Sequence, residues 1–285
     1  MSALAERMDA GASTVARAWV VRRRDGTTLG FTDHDRDLAV EGSVCRAASA
    51  LAAGAIETGT GLAVDNGSVS GALSDAAIRA EDVRAGRWDA AEVWSYLVDW
   101  RDPSAFEVLF RGTLGEITEG GGRFSAELRG LAEPLNAVRG RVYHGRCDAV
   151  LGDARCGVGL EAPGRSAVAT VQAVEGEGRV LRLGGAGAVA AGRLARGRVR
   201  FEDGAAAGLS AAIKVDRVAN GVRIVELWVP PGAVPAVGDR ARVEVGCDKA
   251  LATCRDAFGN AANFRGFPHV PGDDWLMAVP AAGRR

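Results

Sequence analysis

The sequence predicts a mainly β protein of two β-rich domains, barrel- or sandwich-like, with few short helices. Two observations carry this. Apolar residues recur with a period of two in many short runs, and Gly, Pro, Asp-Gly and Asn-Gly turn signals separate those runs at close spacing. A third observation sets the division: GLEAPGRS, residues Gly159 to Ser166, places a proline and two glycines between patterned segments. The expected domains are 1–160, an N-terminal β-rich domain, and 161–285, a C-terminal β-rich domain that completes a site begun in the first. A chain of 285 residues is long enough for each to bury its own core.

After a short helix-like opening, Thr14 to Asp35 reads as a hairpin. Val15, Trp19 and Val21 lead into Asp25-Gly26, a strong turn signal, and Leu29 and Phe31 lead out. In AEVWSYLVDW, Trp94, Tyr96, Val98 and Trp100 alternate onto one face and Val93 and Leu97 onto the other. Asp102-Pro103 breaks that run, and FEVLFRGTLGEITE and RFSAELRGL flank Gly120-Gly121-Gly122, completing a meander. The aromatic stripe has the composition of a base-stacking platform, but strand faces packed into a core are commoner and no basic excess accompanies it. Beyond Ser166 come SAVATVQAV, GRVLRL, GRVRFEDG, IKVDRV and RIVELWV, the last two joined by Asn220-Gly221. Lys249 to Asn260, KALATCRDAFGN, is the one convincing helix of this half, with Gly259 placed to end it.

Composition excludes several classes. The hydrophobic share of 47% and charged share of 25% are ordinary for a globular chain, and the formal net charge of −1 lacks the excess of a protein that wraps nucleic acid or coats an anionic membrane. Arginine supplies almost all of the 35 basic residues, with Lys214 and Lys249 the only lysines, a bias that base composition explains. Glu6, Arg7 and Asp9 interrupt the opening where a signal peptide needs an apolar run, and no later stretch approaches the roughly 18 apolar residues of a spanning helix. The chain is therefore expected to be made in the cytoplasm and to have no membrane segment.

Cytoplasmic thiols are held reduced, so clustered cysteines there point to metal before disulfides. Four of the five cysteines fall in two pairs, Cys147-x8-Cys156 and Cys247-x6-Cys254, and Cys45 stands alone. Zinc needs four ligands about 2.3 Å from one ion and usually takes them from tight C-x2–4-C turns, a spacing neither pair has. An iron–sulfur cubane spreads its four thiolates farther apart and tolerates wider loops. Spacing prefers the cluster modestly and leaves zinc, or unliganded or disulfide-bonded cysteines, open. Gly145, Gly152, Gly157 and Gly246 would free the backbone to turn around a bulky inorganic centre, or are ordinary loop glycines in a chain that has 39.

Asp33-His34-Asp35-Arg36-Asp37 has the residue types of a metal or acid–base cluster. Strand alternation would put Asp33, Asp35 and Asp37 on one face and His34 on the other, and polar residues after a hairpin commonly satisfy turn amides, so the structural reading is preferred. His144 and His269 read as packing or loop residues, although His144 is near Cys147 in sequence. There is no G-x-S-x-G elbow, Walker loop or H-E-x-x-H motif, and no enzyme is expected.

Four segments, RRRDGTTLGFTDHDRDL, FRGTLGEITEGGGRFSAELRGL, LGDARCGVGL and GCDKALATCRDAFGNAANFRGFPHVPG, together resemble a family of tail hub proteins of prophages and gene transfer agents. The resemblance runs from about Val15 to Gly272. It is similar in architecture to the iron–sulfur tail-tip protein of lambda-like phages. The resemblance implies a structural hub in the tail baseplate of a virion-like particle, linking a distal tail protein to a large tip protein. It also implies a homotrimer whose lumen passes DNA without specific nucleic-acid binding. By matching motif it implies a [4Fe–4S] cluster, with zinc as the alternative, held by Cys147, Cys156, Cys247 and Cys254 and joining the two β-rich domains. Cys45 lies outside the motifs and inherits no role. The competing class is an iron–sulfur or zinc-containing redox enzyme using the same four cysteines.

Overall fold

In the computed structural model, which describes residues 14–47, 51–57, 66–72, 79–120, 123–136 and 140–271, the period-two pattern is realised as strands in two compact units, Met1–Val138 and Arg139–Arg285. The segment 159–166 lies inside the second unit and leads directly into its first strand.

The first unit is one nine-stranded sheet. Strands β1 (Val15–Arg22) and β2 (Thr28–Thr32) form the expected hairpin, with Trp19 opposite Phe31. Its turn closes through Arg23 N–H to the Thr27 carbonyl at 2.9 Å. The short β3 (Leu38–Val40) and β4 (Ser43–Arg46) follow, β4 running parallel to β2. Next come β5 (Leu51–Glu57), β6 (Asn66–Ala72), helix α1 (Ala80–Arg84), and β7 (Glu92–Asp99), β8 (Phe106–Gly120) and β9 (Arg123–Gly130), with helix α2 (Glu133–Asn136) after them. Strand order is β3-β4-β2-β1-β7-β8-β9-β6-β5. Central β1 buries both faces, which is why AWVV reads as a continuous apolar run. Ala18 and Val20 pack with Tyr96, Val98 and Cys45 on one side; Trp19 and Val21 pack with Val93, Phe110 and Leu128 on the other.

The second unit is a closed six-stranded antiparallel barrel. Its strands are β10 (Ser166–Glu175), β11 (Val180–Gly184), β12 (Arg198–Phe201), β13 (Ser210–Ala219), β14 (Val222–Leu227) and β15 (Arg240–Glu244), in the order β10-β11-β14-β13-β12-β15. Alternate residues point inward and fill the interior: Val171, Leu183, Phe201, Ile213, Leu227 and Val243 are each at most 1% exposed. The β13–β14 hairpin turns on Asn220 and Gly221, both with positive φ (50° and 75°), as a two-residue primed turn requires. Register shifts at Val171/Ala173 and Ile213/Val215 add the local bend that closure needs. Strand β15 was not among the sequence expectations; it is five residues long and carries Arg240, Arg242 and Glu244 on its outer face, yet it closes the barrel. Helix α3 (Leu251–Phe258) follows it.

Candidate metal centre

All four paired cysteines belong to the second unit. Strand β10 begins where β15 ends: the two are antiparallel neighbours, with Ser166 paired to Glu244. The chain entering β10 and the chain leaving β15 therefore meet at one end of the barrel. The first carries Cys147 and Cys156 and the second Cys247 and Cys254, so two sequence-distant pairs become neighbours by topology alone. All four line one cavity, together with Ala149, Val158, Lys249, Phe258 and Asn263. Cys156 and Cys254 are buried, Cys147 and Cys247 half-buried, and all are free thiols.

Local structure aims each cysteine. Asp153 accepts N–H groups from Val150 (2.9 Å), Arg155 (3.0 Å) and Cys156 (2.6 Å), folding the loop that presents Cys156. The Cys156 amide foremost, with the other two, holds that carboxyl below the usual range. Helix α3 turns Cys254 and Phe258 to its buried side, four residues apart. It ends at Gly259 in the left-handed region (φ 61°), whose N–H reaches the Arg255 carbonyl while Asn260 N–H reaches that of Cys254. Gly246, just before Cys247, packs so closely that a Cβ would fall 1.8 Å from the Ala195 carbonyl oxygen. Gly152 and Gly157 also have positive φ (84° and 68°), whereas Gly145 meets nothing nearer than 3.9 Å.

Three of the four sulfurs receive N–H donors. Lys249 N–H donates to Cys247 Sγ at 3.4 Å, Arg265 N–H to Cys147 Sγ at 3.4 Å, and Asn260 Nδ2–H to Cys156 Sγ at 3.8 Å. Cys254 instead donates its thiol to the Asn260 carbonyl at 3.3 Å. Such contacts are of the kind that orient a cysteine ligand around a metal. Burial pushes the Cys254 thiol up, and Cys147, Cys247 and Cys156 push it the same way, so Cys254 lies close enough to the other three sulfurs to feel them. The donor set, four cysteine sulfurs bordering one space, suits a thiolate-loving metal.

The cysteines do not converge on one point. Among the described residues no group of three or more His, Cys, Asp or Glu side chains is gathered so as to hold a metal ion. The space they border is about 330 Å³ counting its mouth, and its enclosed part admits at most about one water.

Other sequence candidates resolve structurally. Residues 33–36 form a bend, not the strand that alternation assumed. Asp33 accepts the Arg17 N–H (2.7 Å), Asp37 accepts that of Ala47 (2.8 Å), and His34 stacks on Trp100 at 5.2 Å. His144 accepts the Arg146 N–H through Nδ1 (3.1 Å) and is exposed, as is His269. Tyr96 of the aromatic stripe is 2% exposed, and Trp94 and Trp100 pack against the same cluster. Cys45 is fully buried among Val40, Tyr96 and Val98. Lys249, Asn260 and Asp153 were missed as site residues. Their only sequence signals were the rarity of lysine and the closeness of each to a cysteine.

Comparison with known proteins adds to this geometry. Residues 1–159 match the family described as baseplate hub protein, N-terminal attachment domain, and residues 192–274 match the phage conserved hypothetical protein family BR0599. No curated protein sequence matches the chain. Among solved structures it is similar to a chain in the virion of a native gene transfer agent particle, at 46% identity and a TM-score of 0.93. That match covers 100% of this chain and 98% of the other. No helix among the described residues is long and apolar enough to cross a membrane. With its N-terminal attachment domain matched over more than half its length and its whole fold shared with a virion chain, the protein belongs to the phage baseplate hub family.

Proposed function

We propose that this chain is the structural hub of a gene transfer agent-like tail baseplate, a trimer that links a distal tail protein to a tip protein, with a structural [4Fe–4S] cluster in its second unit. The observation that carries the reading is the likeness of the whole chain, end to end, to a chain of a gene transfer agent virion. Cys147, Cys156, Cys247 and Cys254 would hold the cluster. They are the right donors for iron–sulfur, border one space, and lie at wider sequence spacings than the tight turns zinc usually takes. Bound there, the cluster supplies a four-armed cross-link between the chain before β10 and the chain after β15. The protein's own part is to shield Cys156 in the barrel core and to bury Cys254, to direct amide N–H groups at the sulfurs, and to exclude bulk water with Phe258 and Val158.

Two measurements test this. Anaerobically purified protein should contain close to four iron and four sulfide per chain, with little zinc; zinc without sulfide would overturn the cluster. Particles lacking this protein should not build complete tails, and normal baseplates in its absence would overturn the hub. Reversible redox cycling at a defined potential with a soluble partner would favour the redox-enzyme reading instead.

A further inference from the structure

We propose that Lys249 and Asn260 are positioning residues that assemble the four-cysteine site before any metal arrives, each stapling one cysteine of the first segment to one of the second. The inference rests on reading the four cysteines as a metal-ligand set and adds how that set is held.

Lys249 joins the first cross-pair. Its backbone N–H donates to Cys247 Sγ at 3.4 Å, its carbonyl accepts the Cys147 N–H at 2.9 Å, and its ammonium donates to the Ala149 carbonyl. Asn260 joins the second. Its side-chain amide donates to the Cys156 carbonyl at 2.6 Å and lies 3.8 Å from Cys156 Sγ. Its backbone N–H donates to the Cys254 carbonyl at 2.9 Å, and its own carbonyl accepts the Cys254 thiol at 3.3 Å. Asn263 Nδ2–H donates to Asn260 Oδ1 at 2.8 Å, which fixes the end of the amide that faces Cys156. The two staples are crosswise, Cys147 with Cys247 and Cys156 with Cys254, and neither needs a metal.

Lys249 also sits at φ 67°, where a lysine is strained and a glycine would rest. A lysine kept only for the fold would be improved by glycine. A lysine that tethers the 147–149 loop would not, because glycine removes the ammonium contact and loosens the backbone between the two cysteine segments.

The full chain loaded with iron and sulfide is challenged with excess ferrous chelator while visible absorbance and released iron are followed. Lys249→Gly and Asn260→Ala should each release iron tenfold to a hundredfold faster, the range of lost second-layer contacts. Melting of the metal-free chain should barely move, and Lys249→Arg should restore slow release. In parallel, the metal-free chain is treated with the short bifunctional thiol reagent dibromobimane and its links are mapped by mass spectrometry. The parent chain should give Cys147–Cys247 and Cys156–Cys254. Lys249→Gly should deplete the first link and Asn260→Ala the second. Links mainly within Cys147–Cys156 and Cys247–Cys254 in the parent chain, or variants that match it in both release and linkage, would overturn the proposal. If the parent chain binds no iron and sulfide at all, the cluster reading fails while the linkage map still decides the positioning role.

Discussion

The buried Arg223–Asp216 pair gives the sharpest energetic test of the barrel. Asp216 on β13 and Arg223 on β14 have side chains 0% and 5% exposed. Arg223 donates from Nε to Asp216 Oδ1 (2.6 Å) and from Nη2 to Asp216 Oδ2 (2.5 Å) and the Ala190 carbonyl (2.8 Å), while Nη1 reaches the Ala186 and Val189 carbonyls. Asp216 also accepts the Leu194 N–H at 2.8 Å, which ties down the connection from β11 to β12. Asp216→Ala leaves a buried guanidinium with no counter-charge and strands the Leu194 amide. Removing one partner of such a pair costs about 3–5 kcal/mol. At roughly 3 °C per kcal/mol for a unit near 150 residues, the barrel's melting temperature should fall by about 10–15 °C. The double replacement Asp216→Leu with Arg223→Met removes both charges and should recover part of the loss, the remainder being the cost of leaving the Leu194 amide and the Ala186, Val189 and Ala190 carbonyls without these partners. Circular dichroism melting of the full chain reads both. A single-variant fall below about 3 °C, or a double variant less stable than the single, would refute the assignment.

Four further outcomes are expected. Serine at Cys147, Cys156, Cys247 or Cys254 should each lower bound iron and sulfide, whereas Cys45→Ser should leave both unchanged; full iron in Cys247→Ser would sink the cluster. Burial pushes the Cys45 thiol up to about 11, so the native chain should leave it unlabelled by thiol reagents at neutral pH. Because the raised value belongs to the folded state, the stability it contributes is intact below the ordinary thiol range and is lost as pH rises towards 11, which alkaline melting curves of the parent chain and Cys45→Ala would reveal. Gly246→Ala should destabilise the second unit by about 3 kcal/mol, because its Cβ meets backbone at 1.8 Å, and an unchanged melting temperature would show that the 195–197 loop yields freely.

The fold was legible where one face of a strand is polar and its turn has a chemical signature. The Asp25-Gly26 and Asn220-Gly221 hairpins and the β7–β8–β9 meander follow from alternation and turn residues, and Gly259 marks the end of α3 as expected. What stayed hidden has a common cause: pairing between distant segments. Strand β4 pairs in parallel with β2 over two residues only, and β15 reads locally as a charged loop, yet it completes the barrel. The cysteines were visible as two pairs, but the staples were not. Lys249 acts through a left-handed backbone and Asn260 through contacts to residues about a hundred positions away. Neither leaves a local pattern.

The same topology fixes what a metal could contribute. Residues Cys156 and Cys247 bracket the whole barrel, since β10 begins after one and β15 ends before the other. A bridge between them closes a loop of about ninety residues in the unfolded chain, worth on the order of 4.5 kcal/mol by the chain-entropy estimate. In the folded chain that loop is already closed, by β10 pairing with β15 and by the Lys249 and Asn260 contacts, so the bridge adds little further ordering there. The stabilisation therefore falls almost wholly on the unfolded state. It follows that stripping the metal should lower the melting temperature of the second unit while leaving its strand pairing intact. A metal-free chain that lost its β-sheet circular dichroism signal at low temperature would show instead that the bridge is needed to form the barrel at all.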